Sequence, residues 1–244
     1  MQTKTEVDIQ QQLQQLMLQQ KHLQIQLTEN NQRMQLILRR VWQLNDTTQK
    51  RIANDLHDGV GQVLTALVNE LAGMKQSGEQ QRRALALAEI ALKDTRQISR
   101  LLRPPVLDDL GLQPALKWLI RQISESYSQL KISLVMPSDL TLNEELQIMV
   151  FRVCQEALTN VVKYAAATRA CVEISQDRDG LKLSISDNGV GFELSEQTEK
   201  GVGLSSIQDR AASFGGLALV ETAPTQGCKI SIIIPIQAIS KESK

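Results

Sequence analysis

Long apolar runs, paired cysteines and an excess of either charge are all missing from this 244-residue chain. Lys and Arg together number 27, as do Asp and Glu, so the formal net charge is zero. A nucleic-acid or anionic-lipid partner would call for a broad basic footprint, and the balance excludes one. Cys154, Cys171 and Cys228 lie far apart, with no CxxC or Cys/His spacing. A zinc site and a disulfide framework are therefore excluded, and reduced buried thiols are expected. No stretch is apolar enough for the about 20 residues of a membrane-crossing helix, and the polar start is no signal peptide. Hydrophobic residues still make up 42%, the share of an ordinary folded protein.

The first fifty residues also lack Pro and Gly, are rich in Gln, and repeat their apolar positions at steps of three and four. Leu13, Leu16, Gln20, Leu23, Leu27, Asn30, Met34, Ile37, Val41, Leu44 and Thr48 form a seam of about five heptads, enough for a coiled coil. Gln20 and Asn30 are polar positions that fix register at a cost in stability. The helical pattern continues through Ile52, Leu56, Val60, Val63, Leu67, Leu71 and Met74, then breaks at Gln76-Ser77-Gly78. A second helix is expected from about Gln80 to Leu102, where Pro104-Pro105 stops it. Two such helices make an αα-hairpin, and two hairpins make a four-helix bundle.

Beyond Pro105 the pattern changes. Leu107–Leu112 reads as a turn leading into a helix at about Gln113–Leu130. Strands are expected at Lys131–Met136, Ala170–Gln176, Leu181–Asp187, Leu217–Glu221 and Cys228–Pro235, with helices at Asn143–Tyr164 and Ser205–Phe214. This is an α+β unit with a mostly antiparallel or mixed sheet.

Four motifs carry chemistry. In Arg51–Gln62, His57 follows apolar Leu56, so its imidazole lies beside the buried stripe and reaches solvent. A neutral imidazole nitrogen is a competent nucleophile, and Asp58 is placed to take the ring proton. Gly59 and Gly61 each cost roughly 1 kcal/mol inside a helix, a cost that close approach of a second domain would explain. Gln62, one turn past Asp58, suits the orientation of a water. In Phe151–Tyr164, Glu156, Asn160 and Lys163 share one helix face, an arrangement suited to Mg²⁺ and phosphate and also met on solvated faces. Asp187-Asn188-Gly189-Val190-Gly191 puts a carboxylate and flexible backbone at a strand end. Gly201-Val202-Gly203-Leu204 opens a helix whose N–H groups suit phosphates.

From about Lys50 to Pro235 the chain resembles sensor histidine kinases of the nitrate-sensor/DesK-like subfamily, with a HisKA_3 dimerisation domain and a Bergerat-fold ATPase domain. Arg51–Gln62 resembles the phosphoacceptor box, and Leu101–Leu112 the interdomain linker. Glu156–Tyr164 resembles the N box, Asp187–Gly191 the G1 box and Gly201–Leu204 the G2 box. The resemblance implies an α+β architecture: a coiled coil at 1–49, a dimeric phosphotransfer hairpin at 50–104 and a linker at 105–112. An α/β-sandwich ATP-binding domain at 113–238 and a tail at 239–244 follow.

It further implies autophosphorylation of His57 from ATP, assisted by Asp58, with phosphotransfer to a response-regulator receiver domain carrying a helix-turn-helix output. Gln62 would serve dephosphorylation. Glu156, Asn160, Lys163, Tyr164, Asp187, Gly189, Gly191, Gly201, Gly203 and Leu204 would hold ATP, Asn160 would bind Mg²⁺, and residues 192–200 would form a lid. A homodimer is expected, in the cytoplasm as a free protein or as the cytoplasmic part of an inner-membrane sensor. Two positions depart from the family: Gly227-Cys228 replaces the usual Gly-Thr, which puts an adenine-side hydroxyl contact in question, and Tyr164 stands where His is common. Two other classes fit parts of the pattern. One is a Bergerat-fold ATPase or protein kinase of anti-sigma type, with Glu156 as base; the other is a non-catalytic coiled-coil adaptor.

Overall fold

The computed structural model describes residues 2–74, 78–193 and 202–235, with side chains from residue 14 onward. Helix α1 runs over Gln2–Asn54 and passes through a π-helical turn, Asp55–Val60, into α2 at Gly61–Gly73. No proline interrupts it, so the whole stalk is one rod. Most of the break expected at Gln76–Gly78 lies outside the described residues. Helix α3, Glu79–Leu102, returns along the rod. The Ser99 hydroxyl donates to the Ala53 carbonyl at 2.8 Å, a buried bond that locks α3 onto α1. No described helix is long and apolar enough to cross a membrane.

Arg103 is extended, and Pro105 then sits in the first turn of a six-residue helix, α4, Pro105–Leu110. Proline is favoured there because its missing N–H has no helical partner anyway. The sequence pattern predicts only a turn here. Gly111, at φ 83°, ends α4 and starts α5, Leu112–Ser126. Strand β1, Lys131–Val135, is followed by α6, Glu144–Asn160, which extends through a second π-helical turn, Val161–Ala165. Asn143 caps α6 by accepting from the Leu146 N–H at 2.9 Å, and Glu144 and Glu145 favour the positive helix start.

Strands β2 (Arg169–Gln176), β3 (Gly180–Asp187), β4 (Leu217–Thr222) and β5 (Cys228–Pro235) complete the sheet, with α7 at Val202–Ser213. Their order is β1-β2-β3-β5-β4, parallel between β1 and β2 and antiparallel elsewhere. Alternation places Val172, Ile174, Leu183, Ile185, Ile230 and Ile232 on one buried face. Leu116, Leu146, Phe151, Leu158 and Ile207 from α5, α6 and α7 close over that face. The result is a two-layer sandwich, as the pattern predicts, with strand limits within one residue of expectation.

Candidate phosphoryl-transfer site

The expected residues fall into two groups on separate parts of the molecule. His57, Asp58 and Gln62 are exposed on the stalk. His57 and Asp58 lie within the π-helical turn, where the Gly61 N–H reaches the Leu56 carbonyl. Single π-helical turns inside α-helices are frequent at functional positions. A Cβ on Gly61 would sit 3.3 Å from that carbonyl, whereas a Cβ on Gly59 would meet nothing within 4 Å. The open side at Gly59 leaves room next to His57 for another body. Neither His57 nor Asp58 has a hydrogen-bond or ion-pair partner among the described residues.

The second group gathers where α6, β3 and α7 meet. Gly203 packs so closely on α6 that a Cβ there would strike Glu156 and come within 3.0 Å of the Asn160 amide. The start of α7 and the acidic and amide side chains of α6 therefore share one small space. Lys163 and Tyr164, on the second π-helical turn, are exposed, Tyr164 by 72%. Leu204 is half-buried beside the core. Gly201 and residues 194–200 of the expected lid lie outside the described residues.

Asp187 ends β3, and one of its carboxylate oxygens accepts from the Gly189 N–H at 2.8 Å. Gly189 lies against Ala165 without room for a Cβ, and the Val190 N–H bonds to the Ala165 carbonyl at 2.8 Å. Gly191 takes φ 59° and presses on the Ala223 carbonyl. These glycines therefore weld the strand end to the tip of α6 and to the β4–β5 turn.

Cys228 pairs with Asp187 in the β3–β5 register and with Thr222 in the β4–β5 register. Burial, together with the nearby Asp187 charge, pushes the Cys228 thiol up to about 11, so it is a poor nucleophile at neutral pH. The Thr222 hydroxyl donates to the Gly227 carbonyl at 2.8 Å and accepts from the Phe192 N–H at 3.1 Å. Thr222 thus places a hydroxyl next to the position where the family has its threonine. The sequence carries no signal for it, since only strand register brings residue 222 to this corner.

Residues 48–107 match the family described as histidine kinase, and residues 145–238 match the histidine kinase-, DNA gyrase B- and HSP90-like ATPases. A sensor histidine kinase, MctS, from Rhizobium johnstonii is 33% identical over 84% of this chain and 47% of its own. The chain belongs to the histidine kinases. The histidine-protein kinase/phosphatase UhpB of Salmonella typhimurium is 31% identical over 80% of this chain and 40% of its own length. The chain thus spans about half the length of these relatives or less. A blue-light activated histidine kinase from Erythrobacter litoralis EL346 superposes with TM-score 0.49 at 15% identity, over 78% of this kinase and 61% of that chain.

In this chain the two matched families divide where the geometry does. His57 stands on the stalk, and the glycine-lined corner belongs to the ATPase unit. Among the described residues no three His, Cys, Asp or Glu side chains cluster as a metal site.

Proposed function

We propose that this chain autophosphorylates His57 from ATP and passes the phosphoryl group to an aspartate of a response-regulator receiver domain. One observation supports it above the rest: an exposed imidazole, unpartnered among the described residues, shares a chain with a corner where Gly203 at the start of α7 packs on Glu156 and Asn160 of α6.

In that reaction a His57 ring nitrogen forms a bond to the γ-phosphorus while the bond to the bridging oxygen breaks and ADP leaves. Asp58, the adjacent carboxylate, takes up the proton from the other ring nitrogen. The Asp187 carboxylate accepts from the adenine amino group, and Gly189 and Gly191 let the backbone lie against the base. Gly201, Gly203 and the N–H groups of α7 receive phosphate oxygens, with Lys163 as a further cation and Tyr164 beside it.

The donor set also suits a magnesium ion. Asn160 offers a single amide oxygen next to the cradle at Gly203, and Mg²⁺ takes few protein ligands when phosphates and waters complete its shell. When bound, the ion neutralises charge on the transferring phosphoryl group. The exposed seam of α1 supports a homodimer, and the regulator is expected to carry a helix-turn-helix output. Gln62 orients water for hydrolysis of the regulator's phospho-aspartate. The chain works in the cytoplasm.

Incubation with labelled ATP tests the reading. An acid-labile, alkali-stable label that vanishes in His57→Ala is expected; ATP hydrolysis without protein labelling would refute it and favour a plain ATPase. Gln62→Ala should impair dephosphorylation of the regulator selectively, and equal loss of labelling would remove that assignment.

A further inference from the structure

The ATPase unit does not hang free from its linker. It is moored to α1 by a strip of side chains that none of the phosphotransfer motifs includes. Arg39, Trp42, Gln43, Asp46 and Lys50 recur at steps of three and four. By the 3.6-residue turn this strip lies roughly opposite the seam of Ile37, Val41 and Leu44. The dimer seam therefore stays open while the outer face of the same helix holds the ATPase unit.

Asp46 is the centre of the mooring. One of its carboxylate oxygens accepts from Arg103 in the linker, and the other accepts from Arg152 of α6 at 3.1 Å. Arg103 also grips Asp108 through two nitrogens, at 3.2 and 2.6 Å, and Lys50 joins Asp108 at 3.2 Å. Arg152 donates to the Leu102 carbonyl at 2.6 Å, and Gln155 donates to the Leu101 carbonyl at 2.9 Å. On either side, Arg39 and Gln43 bind Glu145, and Arg210 of α7 lies 4.0 Å over the Trp42 ring. A cavity of about 510 Å³ remains within this contact, away from the glycine corner.

The mooring is poised rather than deeply stable. Arg103 and Arg152 share the Asp46 carboxylate, helped at Arg103 by Asp108 and, at 3.7 Å, Glu144, while Arg210 is balanced by Glu156 first and Asp46 second. The Arg210 Nε and Nη1 are buried with no hydrogen-bond partner among the described residues. Burial and the neighbouring Arg152 pull the Arg210 guanidinium down to about 10. Cations held this way gain by returning to water once their counter-charge is lost.

All the mooring residues of α1 precede His57. Asp46 lies 11 positions before it, roughly 16 Å along the helix. The segment carrying His57 packs mainly on α1, α2 and α3. The other end of the mooring leads into the nucleotide corner, because Arg152, Glu156 and Asn160 follow one another at four-residue steps on α6.

Resting on the kinase reading above, we propose that Asp46 is a positioning residue: its bridge to Arg103 and Arg152 parks the ATPase unit on the signalling helix, away from His57, and phosphoryl transfer requires that bridge to open. Movement of α1 would thus act on the ATPase unit directly, besides acting through the bundle.

The chain has two tryptophans, Trp42 in the mooring and Trp118 in the ATPase unit, so Trp118→Phe leaves one native reporter. In that background of the 244-residue chain, acrylamide should quench Trp42 more strongly after Asp46→Asn, and His57 should label roughly five- to tenfold faster, a typical coupling effect. Asp46→Glu should restore much of the parked behaviour. Arg210→Gln, which leaves the Asp46 bridge in place, should loosen Trp42 more mildly and serves if Asp46→Asn folds poorly. Unchanged quenching, or labelling that stays level or falls in both variants, would overturn the proposal. If quenching rises in Asp46→Asn but neither parent nor variant takes any label, the kinase reading fails and the mooring stands; a labelled parent with unchanged quenching in both variants fails the mooring alone.

Discussion

Two apolar surfaces in this molecule end differently. On the stalk, Leu23, Ile37 and Leu44 leave 59%, 58% and 63% of their area open. In the ATPase unit Val150, Phe151, Leu158 and Ile234 leave none. Both regions repeat apolar residues at the period of their secondary structure. The unit folds back over its own sheet, whereas a straight rod more than fifty residues long cannot bend back to cover its seam. The stalk therefore offers the surface that the proposed homodimer would cover, and the unit is written for self-sufficiency.

The contrast can be broken hardest in the sandwich. Phe151→Ala would leave a void between α6 and the sheet, at roughly 3–5 kcal/mol. Against a usual total of about 5–15 kcal/mol, the ATPase unit should melt many degrees lower while the stalk keeps its helical circular dichroism. Loss of both signals together would show that the stalk depends on the unit. Next comes the seam. Ile37→Lys with Leu44→Lys puts like charges across the dimer interface, so light scattering should report a shift to monomer. The melting of the ATPase unit should hardly move, since neither residue touches its core.

The smallest effect concerns the joint between the two regions. Burial alone would raise the Asp108 carboxyl, but its hydrogen bond and charge pairing with Arg103, aided by Lys50, win and hold it below its ordinary value. A carboxyl depressed on folding contributes stability that is complete above its unfolded value of about 4 and fades as pH falls through the lower folded one. Acid titration followed by Trp42 emission should therefore loosen the joint below about pH 4, and Asp108→Asn should flatten that part of the curve. An identical curve in the variant would remove Asp108 from the account.

Much of this was legible in the sequence. Each strand declared itself by alternation, and the glycines at 189, 191 and 203 could be placed before any contact was known. Three features stayed hidden for physical reasons. The two π-helical turns differ from α-helix by a one-residue shift of hydrogen bonding, which leaves the side-chain pattern nearly unchanged; only the cost of Gly59 and Gly61 hinted at one of them. Helix α4 is six residues long, and Pro105 looks the same ahead of a turn as at a helix start. The outer strip of α1 reads as a solvated face, because Arg39, Trp42 and Asp46 acquire partners only once residues far along the chain, such as Glu145, Arg152 and Arg210, have folded beside them.

The linker has one more consequence. Leu107 of α4 is buried in the same core as Leu112 and Leu116 of α5, so α4 travels with the ATPase unit and extended Arg103 is left as the hinge between stalk and load. A limb with one hinge swings its load along an arc, and the nucleotide corner turns as it travels. An alanine at Gly111, strained at φ 83°, should loosen the seat of α4 in the core and leave the hinge itself unchanged.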